Sequence, residues 1–332
     1  MMTWMAGIIF LLVKLGLVLL GLLLLVTYLV YAERKFLARL QVRFGPNRAG
    51  PFGLLQPIAD FIKLLGKEDI VPEGADRAIF LFAPAVVAAT AFLIFAVVPF
   101  GQGLTISGRQ VQMVISDLNV GLLYALALSS LGVYGVALGG WASNSKYSVL
   151  GSIRGVAQMI SYELSLGLSL VPVVMITGSF SLVDIVEAQS KYPFILVQPV
   201  SFLIFFVSAV AEIKRIPFDL PEAENELVAG YHTEFSGMRF GLFFVGEYAT
   251  MVVLGSLVAA FFLGGWHGPL LPPIIWFLIK VLFVALLMIW IRATLPRLRY
   301  DQLMHLGWKL LVPVALLNIV VTGGVMLILS SY

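Results

Sequence analysis

The 332-residue chain has no cysteine, which excludes disulfides, thiolate catalysis and cysteine-held metal or iron–sulfur centres from it. Charge is scarce. Asp, Glu, Lys and Arg make up 12% of residues, about half the ~25% usual in soluble domains. The three histidines, His232, His267 and His305, lie far apart with no ligand-like neighbour at helical spacing, which argues against a metal site. The net charge of +3 fits a modest excess of Lys/Arg at a membrane surface and gives no argument for nucleic acid. No polar stretch is long enough to bury a core of its own, so there is no separate soluble domain. What is abundant is apolar: hydrophobic residues reach 60%, and the mean hydropathy is +1.01.

These features predict an all-α polytopic membrane protein, a single membrane domain over residues 1–332 with eight transmembrane helices. The spans are Met5–Tyr31, Ala78–Phe100, Asp117–Gly140, Gly151–Gly178, Phe194–Glu212, Phe240–Gly264, Ile274–Arg292 and Lys309–Ser330. Each is near the ~20 residues that cross ~30 Å of hydrocarbon. The first resembles a signal peptide only at its start. Its apolar run is too long, its basic cluster follows it, and no small-x-small cleavage site is present. Lys14 is expected to snorkel to the headgroups far from Arg34. No internal repeat suggests an inverted-topology transporter.

Orientation follows from Lys/Arg asymmetry. Seventeen of these residues fall in the first, third, fifth and seventh connections, and only Arg109 and Lys191 in the others. Both termini are therefore expected outside (periplasmic), with the charged loops cytoplasmic. The first loop, 32–77, has a Gly-Pro-Asn-Arg turn. Leu54, Leu55, Ile58, Phe61, Ile62 and Leu65 then recur at three-to-four spacing, which predicts a short interfacial amphipathic helix. Such a helix can simply anchor the loop, or border an entrance for a lipid-soluble substrate.

The densest signal is Ala211–Tyr248, with seven of the eighteen acidic residues: Glu212, Asp219, Glu222, Glu224, Glu226, Glu234 and Glu247. Its loop, 213–239, is predicted to hold a helix capped at Asp219, boxed by Glu222 and ended by Gly230. Capping accounts for Glu222 but less well for Glu224 and Glu226. Glu222 and Glu226 share a face, where like charges favour partial protonation. In span four, Arg154, Gln158, Ser161, Ser165 and Ser169 share one face, and Glu163 lies off that stripe at about mid-bilayer, roughly 14 Å from Arg154. Glu247 lies roughly 12 Å beyond Arg239. A charged carboxylate at such depth costs about 2.5–3.5 kcal/mol even on lenient scales, so each is protonated, paired or hydrated. One reading is a neutral acid bonded to a neighbouring helix. The other, preferred here, is a proton relay. Lys280, roughly 18 Å from Arg292, is the natural cation for the same layer.

Four stretches carry a resemblance that runs nearly end to end: ERKFLARLQVRFGPNRAGPFGLLQPIADFIKLLGKED, SYE in span four, EIKRIPFDLPEAENELVAGYHTEFSGMRFGLFFVGEY, and RATLPRLRYDQLMHLGWK. The chain resembles the family of membrane-embedded H subunits of bacterial NADH–quinone oxidoreductase, respiratory complex I, whose mitochondrial counterpart is NADH dehydrogenase subunit 1. Glu-Ile-Lys-Arg at 212–215 departs from the family's frequent Glu-Thr-Asn-Arg but keeps the glutamate and arginine.

The resemblance implies a subunit of a proton-translocating enzyme in the bacterial inner membrane, placed where the peripheral and membrane arms meet. It has quinone as substrate and no redox centre of its own. NADH, FMN and iron–sulfur clusters would sit on partner subunits. Those partners are quinone-site peripheral-arm subunits, small membrane subunits and antiporter-like subunits, together with membrane lipids. Carried over by position, Glu163, Glu212, Glu222, Glu224, Glu226 and Glu247 match a proton path. Glu33, Arg34, Arg43, Asp60, Arg215, Phe218, Asp219, Arg292, Arg297 and Arg299 match the quinone chamber and its peripheral-arm contacts. The Leu54–Leu65 helix matches the quinone entry portal.

The alternatives are the equivalent subunit of a ferredoxin-, F420- or hydrogen-linked oxidoreductase, an independent ion transporter, and a passive membrane anchor. The missing repeat and the loop-centred motifs weigh against the transporter. The intramembrane glutamates weigh against the anchor.

Overall fold

Long apolar runs without water to satisfy their backbone must close their hydrogen bonds internally, and they do so as helices. The computed structural model describes residues 2–106 and 109–330. Its helices are α1 (Met2–Leu40), α2 (Gln56–Gly66), α3 (Arg77–Ile94), α4 (Gly121–Ala142), α5 (Lys146–Thr177), α6 (Leu182–Ala188), α7 (Phe194–Val197), α8 (Pro199–Glu212), α9 (Glu224–Leu227), α10 (Gly237–Phe262), α11 (Pro273–Thr294), α12 (Tyr300–His305) and α13 (Val312–Ser330). Leu306–Leu311 is a π-helical segment that joins α12 to α13 in one continuous span.

Seven helical segments among the described residues are long and apolar enough to cross a membrane. The fifth expected span is different: Pro199 splits it into α7 and the 14-residue α8. Proline lacks the N–H and its ring crowds the preceding turn. At ~1.5 Å per residue α8 covers roughly 21 Å. It is nonetheless deep in the protein, with Phe205, Ala209 and Ala211 fully buried. The Gln198 side chain steadies the break by donating to Thr322 (3.0 Å) and accepting from Asn318 (3.1 Å).

Span boundaries also move, and one connection gains structure. α1 runs to Leu40, so Glu33 and Arg34 lie on a helix rather than in a loop. The last span begins at Tyr300 instead of Lys309. The second connection is not plain coil but an antiparallel hairpin, β1 (Gly101–Ile106) with β2 (Arg109–Met113), a small exception to the all-α expectation.

Small residues let the helices close. A Cβ on Gly135 of α4 or Gly246 of α10 would sit 2.4 or 2.9 Å from Val87 of α3, so these three backbones pack at short range. The predicted face of α5 is the buried one: Gln158, Ser161, Ser165 and Ser169 all point inward. Gln158 donates to the carbonyls of Ala211 (2.7 Å) and Phe218 (2.8 Å), tying the acidic loop to α5.

That loop is not the helix its capping signals predict. Only the single turn α9 forms. Gly230 adopts φ +58 and sits so tightly on Pro221 that a Cβ would lie 1.7 Å from the Pro221 carbonyl oxygen. Folding the loop back on itself, against Gly151 of α5, overrides the local preference for helix.

α2 covers Gln56–Gly66, so Leu54 and Leu55 of the expected apolar stripe precede it. Leu54, Leu55, Ile58, Phe61, Ile62 and Leu65 are all exposed. Its polar side turns toward α1, where Asp60 meets Arg34 at 2.5 Å and accepts from Gln56 at 3.0 Å.

Candidate functional site

The site is assembled where α8 ends at Glu212 and the backbone turns through Lys214 in the left-handed region (φ 60). An L-residue rarely adopts that conformation without surrounding structure to enforce it. The turn aims Arg215 into the protein, where its side chain is 7% exposed. Arg215 pairs with Glu33 of α1 through Nη1 and with Glu247 of α10 through Nε. Its guanidinium also lies 4.1 Å from the Tyr248 ring centroid. Glu33, 2% exposed, takes a second arginine, Arg292 of α11. Two carboxylates and two guanidiniums thus neutralise one another, with Glu33, Arg215 and Glu247 inside and Arg292, 37% exposed, at the edge; an unpaired charge at the inner positions would be strongly destabilising. Arginine suits the middle position because its planar fork reaches two carboxylates at once.

Beside this cluster two adjacent hydroxyls on α4 divide two acids between them. Ser129 donates to Glu212 and Ser130 to Glu163. The other oxygen of Glu212 is buried with no hydrogen-bond partner. A cavity of about 30 Å³ is bordered by Glu212, Lys214, Glu247, Ser129 and Thr90. That is enough for a water or two in a site with several polar partners.

The loop supplies the remaining groups. The buried Lys214 ammonium is 3.3 Å from the Tyr231 hydroxyl and 4.7 Å from its ring centroid. Tyr231 in turn lies 3.5 Å from Glu222 Oε1, and His232 Nδ1 is 4.0 Å from the same oxygen. Burial pushes the Glu222 carboxyl up to about 8, helped by Glu247 and Asp219 and opposed by Lys214 and Arg215. The Glu222 side chain keeps a rim of solvent contact, 26% exposed. Burial lowers the Lys214 ammonium, against the pull of Glu222, Glu247 and Glu212. It raises the Tyr231 phenol well above its ordinary range, and it takes His232 down to about 4, leaving that imidazole neutral near pH 7.

Of the residues singled out from sequence, Glu33, Arg215 and Glu247 meet in one buried cluster, with Arg292 at its partly exposed edge. Glu163 and Glu212 come together through the paired serines of α4. Glu226 is half-exposed between Arg154 (2.6 Å) and Arg297 (3.6 Å), and the Arg154 hydrogen bond holds its carboxyl below the usual range. Phe218 is buried, with its ring 5.4 Å from Tyr162. Asp219 is close enough to act on Glu222. The side chain of Glu224 lies outside the described residues.

Arg43 and Arg299 sit apart, at the exposed surface, paired with Gln41 (2.7 Å) and Asp301 (3.1 Å). Lys280 does not meet the glutamates. It donates to the carbonyls of Gly265 (2.9 Å) and His267 (2.6 Å), in the connection between α10 and α11. Its position along α11 is as expected, but it sits near the helix's other end, where loop carbonyls are the nearest acceptors. Lys14 likewise donates to the Val114 carbonyl, next to the hairpin. Sequence reasoning missed Ser129, Ser130, Lys214, Tyr231 and His232. The serine pair inside an apolar span was a readable signal for the first two. The others owe their roles to the folded loop.

The model of the NADH dehydrogenase family matches residues 13–323. The chain is 72% identical to a protein from Syntrophobacter fumaroxidans named as a second H subunit of NADH-quinone oxidoreductase, over 98% of each chain. It is 66% identical to one of the same name from Geobacter sulfurreducens, over 95% of each. It is 64% identical to the NADH-quinone oxidoreductase H subunit from Syntrophotalea carbinolica, over 94% of each.

Proposed function

The chain belongs to the NADH dehydrogenase family, and on that premise we propose that it is the membrane subunit of a proton-pumping NADH–quinone oxidoreductase that helps form the quinone chamber and begins the coupling path. It is a multi-pass membrane protein of the bacterial inner membrane, both termini periplasmic, with loops 32–77 and 213–239 on the cytoplasmic side. The observation that carries this reading is the run of ionisable and hydroxyl groups from the loop inward: Glu222, Tyr231, Lys214, the small polar cavity, Glu212, Ser129, Ser130 and Glu163.

The chemistry follows from charge. Electrons arrive at quinone from a partner subunit, and reduction to quinol takes up two protons in a poorly hydrated chamber. At low effective dielectric that change is felt by nearby carboxyls. Glu222, poised with its proton near neutral pH, is the group in the loop best placed to gain or lose one in response. The Glu33–Arg215–Glu247–Arg292 cluster fixes the geometry of the wall, since arginine holds its charge throughout. The exposed apolar face of α2, beside the Arg34–Asp60 pair, suits the entrance of a lipid-soluble substrate.

Tagging the chain and purifying it from native membranes tests the assignment. The expected result is a multi-subunit complex that oxidises NADH and reduces quinone. Purification as a lone chain that transports ions by itself in liposomes would overturn it.

A further inference from the structure

We propose that Lys214 and Tyr231 form the proton-bearing link between the loop carboxyl of Glu222 and the cavity shared by Glu212 and Glu247. This rests on the coupling path read above and assigns the members that join its loop half to its membrane half. Lys214 is buried, 5% exposed, with no described carboxylate in ion-pair contact. Instead its ammonium reaches the Tyr231 hydroxyl (3.3 Å), and that hydroxyl lies 3.5 Å from Glu222 Oε1. On its other side Lys214 borders the cavity of about 30 Å³ together with Glu212 and Glu247, where one Glu212 oxygen is left without a partner. The lysine therefore touches both halves. Its left-handed backbone (φ 60) is the turn that holds it there.

A buried cation can act as fixed charge or as proton carrier, and lysine is suited to the second because burial makes its proton easier to release. The groups that face it are Glu212 from α8, Glu247 from α10, and Glu222, Tyr231 and His232 from the loop. In one transfer, the Lys214 ammonium N–H breaks and a proton passes across the cavity to the Glu212 or Glu247 carboxylate, leaving a neutral amine. The Tyr231 hydroxyl then gives its proton to that amine as it takes the proton of the Glu222 carboxyl. One proton has moved from Glu222 to the cavity, Tyr231 and Lys214 are restored, and nothing is oxidised or reduced.

The test uses the assembled complex in vesicles, with Tyr231→Phe, Lys214→Arg and Glu212→Gln compared side by side. Phe keeps the ring against which the ammonium packs but has no hydroxyl. Arg keeps the charge but does not release its proton. Co-purification of each variant chain with the full set of subunits checks that the complex has assembled. The expected result for Tyr231→Phe and Lys214→Arg is a loss of about tenfold or more in proton translocation rate, with a solvent deuterium isotope effect on quinone reduction larger than that of the unaltered complex. A purely structural tyrosine or lysine would not move the isotope effect. Normal translocation and isotope effect in both variants, with translocation lost in Glu212→Gln, would show that the path bypasses this pair and overturn the inference alone. Normal translocation in all three would overturn the coupling path itself.

Discussion

Replacing Arg215 is the most informative perturbation of the buried cluster. Its guanidinium holds Glu33 and Glu247 and packs on Tyr248, with a side chain 7% exposed. In Arg215→Met, Glu33 keeps Arg292, whereas Glu247 loses its direct cationic partner. Stripping a buried carboxylate of its partner costs about 3–5 kcal/mol. Arg215→Lys keeps the charge but loses the fork that grips two acids and the stacking on Tyr248. About half of that cost is expected, in keeping with the ~1.5–3 kcal/mol of one hydrogen bond to a charged group. Neutralising the stranded acid should relieve part of the damage, so Arg215→Met with Glu247→Gln should be more stable than Arg215→Met alone. Their coupling energy should fall within the ~0.5–3 kcal/mol seen for residues in contact. Thermal unfolding of the purified complex, followed by loss of this subunit, measures the series. Equal stability of Arg215→Met and the unaltered protein, or no gain from the second substitution, would refute the reasoning.

Gly230→Ala should dislodge the acidic loop, because its Cβ would fall 1.7 Å from the Pro221 carbonyl oxygen at a φ of +58; quinone reductase activity should drop several-fold while Gly167→Ala, which meets open space, leaves it unchanged. Glu222, lifted from 4.5 to about 8 in the folded protein, is held in its protonated form. Its effect on stability is absent below about pH 4.5, where both states carry the proton, and becomes unfavourable as pH rises toward 8. Thermal stability should therefore fall over that window, and Glu222→Gln should flatten the decline. Infrared spectra should show a protonated-carboxyl band at pH 7 that fades above pH 8 and is missing in Glu222→Gln.

The spans were legible because twenty-odd consecutive apolar residues leave the backbone no alternative in lipid. The break inside the fifth was visible too, as Gln198-Pro199, but composition alone masks it within an apolar run. The hairpin at 101–113 carries alternation in Leu104, Ile106, Val111 and Met113, though it is shorter and weaker than the signals around it. That Glu163 and Glu247 would need a partner or a proton could be read from their depth in the spans. How the acids pair could not: Glu33 and Arg215 are 182 positions apart, and only the folded contacts bring them together. Lys280 shows the limit in the other direction, since helical rise gives depth along the axis but not the partner a side chain meets. The failed helix at Asp219 has a similar cause, a long-range fit of Gly230 on Pro221 outweighing sound capping chemistry.

The central claim is that acidic groups conduct protons inward from the cytoplasmic loop to mid-membrane. The number of protons moved per quinone reduced, measured in vesicles for Glu163→Gln, tests it most directly. The expected ratio is well below that of the unaltered complex, with the isolated NADH-oxidising activity intact. A ratio equal to it would contradict the account.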